Sequence, residues 1–201
     1  LLENKGMSKQ VGITGGIGTG KSFVSKIFTT LGVPYYDADK EAKILMSKSE
    51  VIKTSLIDLF GAETYFDDGT LNRKWLATKV FNNKEQLALL NSIVHPVVIS
   101  AAKQWADEQV APYSLKEAAL LFESLSYKTL DYTILVTAPL ELRISRVMKR
   151  DGISREEVQK RINNQMPEEE KLKLADFVIV NDEQTALLPQ IAKINRIILE
   201  K

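Results

Sequence analysis

The segment Gly15-Gly16-Ile17-Gly18-Thr19-Gly20-Lys21-Ser22 constrains this chain more than any other. It matches G-x-x-x-x-G-K-S and stands between a short apolar run, Gln10 to Thr14, and a stretch from Lys21 to Leu31 whose Val24, Ile27, Phe28 and Leu31 have helical spacing. Strand, glycine loop and helix in that order let backbone N–H groups turn inward around phosphate oxygens, and the helix N-terminus adds partial positive charge there. Lys21 is expected to bridge the β- and γ-phosphates of ATP, and Ser22 to offer its hydroxyl to Mg²⁺. Gly16, Ile17, Gly18, Thr19, Gly20, Lys21 and Ser22 therefore form the expected nucleotide cradle. A glycine-rich turn that binds nothing is the alternative; spacing, the Lys-Ser pair and the strand-to-helix context argue together against it.

The rest of the chain reads as an α/β alternation with helical additions. Val33 to Tyr36 is a second strand ending at Asp37 and Asp39, and one helix between two strands favours a parallel pair with a right-handed crossover. On that reading the glycine loop and the acidic pair are neighbours. From Asp39 to Val110 the spacing is helical, interrupted at Gly61, at Asp67-Asp68-Gly69 and at Pro96, which predicts a helical insertion over about 39–112. Ala118 to Phe122 and Tyr132 to Val136 read as buried strands, and a helix follows Ala138-Pro139 through Leu142, Ile144, Val147 and Met148. Phe177 to Val180 is a last strand, Leu187 to Ile198 a closing helix, and the charged stretch over about 143–174 a candidate lid. These elements predict one domain over 8–201, its core at about 8–38, 115–142 and 175–201, with a parallel five-stranded sheet flanked by helices.

Composition limits the partners. Lys plus Arg number 27 against 26 Asp plus Glu, so any anion site must be made locally, and no nucleic-acid or membrane partner is expected. There is no cysteine, which removes disulfides, thiolate metal sites and Cys nucleophiles. No apolar run approaches the roughly 18 residues of a membrane span, and a cytoplasmic setting is expected. The six residues before Met7 read as an upstream start or an expression remnant and are set aside.

Phosphoryl transfer needs an acceptor hydroxyl held in line and a group to take its proton. Asp37 and Asp39 alternate along extended chain and so point the same way. Asp39 is the candidate base and Asp37 a candidate ligand of the metal or acceptor; as alternatives, Asp37 ends its strand in an Asx turn and Asp39 caps the next helix. Arg143, Arg146 and Arg150 recur three and four residues apart, with Arg161 on the next helix. Arg146 and Arg150 are expected to close over the phosphates, whereas Arg143 is read as a solvated charge, and Asp151-Gly152 as a hinge. Asn181, after the last strand, is either an adenine contact or a turn residue.

The blocks GITGGIGTGKS, YYDAD, LNRKWLATKVF, IVHP, LLFES, RVMKRDG, RINNQMPEEEK and ADFVIVN, in this order, cover nearly the whole chain and resemble dephospho-CoA kinases. The resemblance implies the P-loop NTPase fold, with the insertion binding the acceptor and a helical lid. It also implies transfer of the γ-phosphoryl group of ATP to the ribose 3′-hydroxyl of dephospho-CoA, the last step of coenzyme A biosynthesis, with Mg²⁺ and with Asp39 at the catalytic aspartate. Arg73, His95, Leu121 and Glu123 are then expected near the acceptor; as alternatives, Arg73 is a helix-start charge and His95 marks a helix break at Pro96. Lys43 and Ala119 stand where the family usually has Arg and Pro, and Lys43 keeps the charge without the bidentate fork. Two other readings are a nucleoside or nucleotide-phosphate kinase on the same scaffold and a nucleotide-dependent switch module, for which no clear D-x-x-G or N-K-x-D signature is present.

Overall fold

The computed structural model describes residues 8–81 and 83–200; the segment before Met7 lies outside them. The chain divides into two compact units, one taking in the chain up to Asp37 and from Trp105 onward, the other Ala38–Gln104.

The first unit is built on a five-stranded sheet of β1 (Lys9–Thr14), β2 (Tyr35–Asp37), β3 (Tyr113–Glu117), β4 (Tyr132–Thr137) and β5 (Phe177–Val180). All pairings are parallel, in the order β2-β3-β1-β4-β5. Helices α1 (Lys21–Thr30) and, at the chain's other end, α9 (Leu187–Glu200) contribute to the core on one face. Val24 and Phe28 of α1 and Ile191, Ile194 and Ile198 of α9 bury against Val11, Ile13, Leu115, Ile134, Val136 and Ile179. A fully buried residue such as Phe28 stabilises by about 1.5–3 kcal/mol relative to exposure, so this layer fixes the position of α1 and of the loop before it. The same unit carries α6 (Leu140–Asp151), α7 (Arg155–Asn163) and α8 (Glu168–Leu174). Ser154 and Glu157 form a capping box that starts α7, and Gly152 ends α6 at φ 66.

Two expectations change. The third strand is Tyr113–Glu117, not Ala118 to Phe122; the residues from Ala119 onward form turns over the sheet. The apolar run had the composition of a buried strand, but it is Y-S-L-K-E, with its polar side chains, that is buried along its whole length. A strand flanked on both sides in a parallel sheet is covered on both faces, so a polar side chain there is buried whatever its own polarity. The order also places β3 between β1 and β2, so the acidic end of β2 is not the immediate neighbour of the glycine loop.

Lys116, 8% exposed in the middle of β3, has no ion partner among the described residues, and burial pushes its ammonium down to about 8 from 10.5. Since the folded protein holds this proton less tightly than the unfolded chain, the charge costs stability below pH 8, by about 3 kcal/mol at most, and the cost fades as pH rises towards 10.5. Lys116→Met is expected to raise the free energy of unfolding at pH 7 by about 1–3 kcal/mol and to remove the gain in stability between pH 8 and 10.5. Denaturant titrations across that range check both, and an unchanged pH profile would contradict the burial argument.

The second unit holds α2 (Ala38–Lys48), α3 (Glu50–Phe60), α4 (Arg73–Val80) and α5 (Lys84–Asp107), whose last residues, from Trp105, cluster with the sheet unit. Ser49 caps α3, accepting the Ile52 N–H, and Asn72 caps α4, accepting the Trp75 N–H. Pro96 does not break α5, contrary to expectation. It removes one backbone hydrogen bond, but Leu90, Val94, Val98, Ala102 and Ala106 are all buried at a repeat of four, and this packing outweighs the roughly 3 kcal/mol a helical proline costs.

Candidate active site

The loop between β1 and α1 has its carbonyl groups tied outward. Arg143 Nε donates to Ile17 O at 3.0 Å, Arg146 Nη1 to Gly18 O at 3.4 Å, and Asn181 Nδ2 to Thr19 O at 2.8 Å. Thr19 closes the turn by donating from Oγ1 to Gly16 O at 2.9 Å. Among the described residues, the amides of Gly18, Gly20, Lys21 and Ser22 have no hydrogen-bond partner, and with α1 starting at Lys21 they form a concave set of donors at a helix N-terminus. Gly20, at φ 84, adopts a left-handed conformation that a side chain would strain, and a Cβ at Gly16 would collide with the Arg143 guanidinium. The cavity beneath, about 350 Å³, is lined by this loop, Ala119, Arg150 and Gln165.

Lys21 and Ser22 of this lining share a carboxylate that the sequence pattern did not single out. Glu117, the last residue of β3, accepts hydrogen bonds from Lys21 Nζ and, at 2.6 Å, from Ser22 Oγ; its other oxygen accepts from Tyr35 Oη at 2.7 Å. Burial alone would push this carboxyl up, but the Lys21 charge and the hydrogen bonds from Lys21, Ser22 and Tyr35 outweigh it and hold it below the ordinary glutamate range. Asp37 lies opposite Glu117 in the β2–β3 register, so two acidic residues end adjacent strands. The signal was present, a Glu at a strand's C-terminal end in an α/β sheet, but the misplaced strand concealed it.

These donors suit a hard cation. Ser22 and Glu117 bring a hydroxyl and a carboxylate together, and Mg²⁺ binds through one or two carboxylates with phosphate oxygens and waters. Among the described residues no three or more His, Asp or Glu side chains form a metal cage by themselves.

The lid arginines divide differently from expectation. Arg143 is not solvated: it is 6% exposed, pairs with Glu168 at 2.6 Å and props the loop through Ile17 O. The pattern of charge along α6 could not show this, because Glu168 lies on another helix. Arg146 reaches Gly18 O and Asn181 O and pairs with Glu183 at 2.9 Å. Arg150 points into the loop cavity and pairs with the adjacent Asp151 at 2.7 Å, which also holds Arg161 at 2.8 Å. That pair is exposed and worth little, so a phosphate can take over the guanidinium. Asn181 spends its side-chain donor on Thr19 O, bracing the loop.

Glu123 is not at a strand end but in the turns after β3. Its Oε1 accepts from Met166 N at 3.0 Å and lies 2.9 Å from the ammonium of Lys171, which is 1% exposed. Lys171 Nζ is close enough to neutralise charge but off the hydrogen-bond axis. Glu123→Ala would leave this ammonium buried and uncompensated, and is expected to cost about 3–5 kcal/mol of unfolding free energy. The Glu123→Leu, Lys171→Met pair should recover most of it; a loss below about 1 kcal/mol in the single variant would show that the pair is not needed.

Leu121 is fully buried with its methyl groups over Gly12, so its side chain packs the core rather than facing a ligand. Asp39 is exposed in the first turn of α2, which begins at Ala38, so it follows the helix start instead of capping it. Arg73 is the exposed first residue of α4. His95 lies within α5, half-buried, and burial holds its imidazole below the ordinary histidine value, so the residue does not mark a break.

The family model described as Dephospho-CoA kinase matches residues 9–186. A Bacteroides fragilis dephospho-CoA kinase is 40% identical over 196 residues, covering 97% of this chain and 95% of its own. A solved structure from Thermus thermophilus superposes with a TM-score of 0.81 at 37% identity, covering 97% of this chain and 98% of its own. A dephospho-CoA kinase from Campylobacter jejuni gives 0.70 at 30% identity, covering 96% and 98%. Among the described residues no helix is long and apolar enough to cross a membrane.

Proposed function

Because the chain belongs to the dephospho-CoA kinase family and transfers the γ-phosphoryl group of ATP to the ribose 3′-hydroxyl of dephospho-CoA, we propose a division of labour among its residues. With relatives of this name over nearly the whole chain, the nucleoside kinase and the switch module are not favoured. The observation that carries the assignment is the convergence of Lys21, Ser22 and Glu117 under a ring of unpaired amides.

The amides of Gly18, Gly20, Lys21 and Ser22 hold the inner phosphates, and Lys21 leaves Glu117 to balance charge between the β- and γ-phosphates. Ser22, Glu117 and Asp37 hold Mg²⁺, which when bound offsets the charge of the phosphate tail. Asp39 takes the proton of the 3′-hydroxyl, and Arg73 and His95 bind the acceptor. Arg150 exchanges Asp151 for the phosphates as the segment after Gly152 closes, and Arg146 holds Gly18 in place and meets the nucleotide beside it. Asn181 keeps the loop in shape for the nucleotide. The insertion over about 39–112 and the lid over about 143–174 carry these two tasks. We place the reaction in the cytoplasm, with ATP and dephospho-CoA as its ligands.

The test is ADP release with ATP, comparing dephospho-CoA, AMP, shikimate and no acceptor, with and without Mg²⁺. Dephospho-CoA should give a product heavier by one phosphoryl group. Full turnover after chelation would remove the metal from the scheme, and transfer to AMP in preference to dephospho-CoA would remove the acceptor.

A further inference from the structure

We propose that Gln165 is a further catalytic residue, donating a hydrogen bond from its side-chain amide to the terminal phosphoryl group of bound ATP. The residue follows α7, and its backbone is tied there by its N–H donating to Ile162 O at 3.0 Å. Its Oε1 accepts the Ile17 N–H at 2.9 Å. A backbone amide only donates, so this bond settles which end of the side chain faces the loop: the oxygen lies at Ile17 and Nε2 points away from it. Gln165 lines the loop cavity of about 350 Å³, and among the described residues Nε2 donates to no protein group. A side chain held at one end with two idle donors at the other is an oriented binding group.

Position along the loop decides which phosphate it meets. The free amides of Gly18, Gly20, Lys21 and Ser22 close on the inner phosphates at the start of α1, whereas Ile17 precedes them, away from the helix. A donor fixed at Ile17 therefore stands at the outer end of the cradle, in the cavity that also receives Arg150. The next residue is anchored as well, since Met166 N donates to Glu123 Oε1 at 3.0 Å, so Gln165 is carried on backbone pinned to the sheet unit. Unlike Lys21 and Arg150, it has no ion pair to give up when nucleotide arrives. A neutral donor placed where negative charge moves during transfer stabilises that charge without reorganising.

This inference rests on the kinase reading, and two variants separate it from a purely structural role. Gln165→Glu keeps the acceptor for the Ile17 N–H and replaces the idle donors with oxygen; Gln165→Leu removes both functions at similar size. Phosphorylation of dephospho-CoA, ADP affinity and melting temperature are measured for wild type, Gln165→Glu and Gln165→Leu. For Gln165→Leu, kcat is expected to fall on the order of 10- to 100-fold with ADP affinity within about twofold of wild type, and for Gln165→Glu kcat falls further. Turnover near wild type in Gln165→Glu would show that holding Ile17 is all the residue does, and overturn the proposal. So would a Gln165→Leu enzyme whose ADP affinity falls in step with kcat. A wild-type enzyme that does not phosphorylate dephospho-CoA would instead refute the kinase reading itself.

Discussion

The Lys21→Ala enzyme is expected to lose phosphoryl transfer by about 10³-fold or more, with weakened ATP binding and a separate loss of stability. The catalytic part follows from charge: a loop of amides cannot by itself compensate a triphosphate tail, and Lys21 is the ammonium carried at the start of α1. The stability part follows from Glu117, whose side chain is 4% exposed and pairs with Lys21. Removing the cation leaves a buried carboxylate whose donors among the described residues are Ser22 and Tyr35, a loss of about 3 kcal/mol. A Glu117→Gln partner change distinguishes the two parts. In that background Lys21→Ala should cost much less stability, while transfer stays as low, because the missing charge on the phosphates is not restored.

pH gives the same pair a second signature. Glu117 is held below its unfolded value, so its contribution is fully present above about pH 4.5 and is lost as pH falls through the lower folded value. Wild type should therefore destabilise more steeply below pH 4.5 than Glu117→Gln. Equal slopes would mean that the carboxylate is not stabilised in the folded state.

Asp39→Asn is expected to lower kcat by on the order of 10²- to 10⁴-fold, the range for loss of a general base, while ATP binding stays within a few-fold of wild type. The substitution keeps size and hydrogen bonding and removes the ability to take a proton. Asp39 is exposed in the first turn of α2 and Asn matches its size, so the melting temperature should move little. ATP affinity by titration calorimetry and single-turnover transfer separate binding from chemistry. Turnover within tenfold of wild type would take the base role from Asp39.

How far the sequence could be read depended on whether the signal was local. The glycine loop between β1 and α1 followed from spacing alone, and the strand over Phe177–Val180 from four apolar residues between turns. Helix α5 was legible in its periodicity, but Pro96 suggested an interruption that buried packing overrode. β3 was misread because Lys116 and Glu117 look solvated to any rule that scores residues singly. No local pattern singles out Glu117 or Gln165, and Arg143 reads as a solvated charge, for one reason: each acts on the loop across a long chain separation, and its partner becomes visible only when the chain is folded.

The sequence by itself determined that a phosphate-binding loop would open an α/β unit, since that loop needs only glycines, an amide-bearing turn and a helix start contiguous in the chain. The tertiary structure decided which carboxylate stands beneath Lys21 and Ser22 and which side chains hold the loop open. Strand order set the first, by inserting β3 between β1 and β2, and the packing of α6 and the segment after α7 set the second. Neither is encoded in neighbouring residues, because adjacency in a sheet and burial of a charge are properties of how distant segments come together.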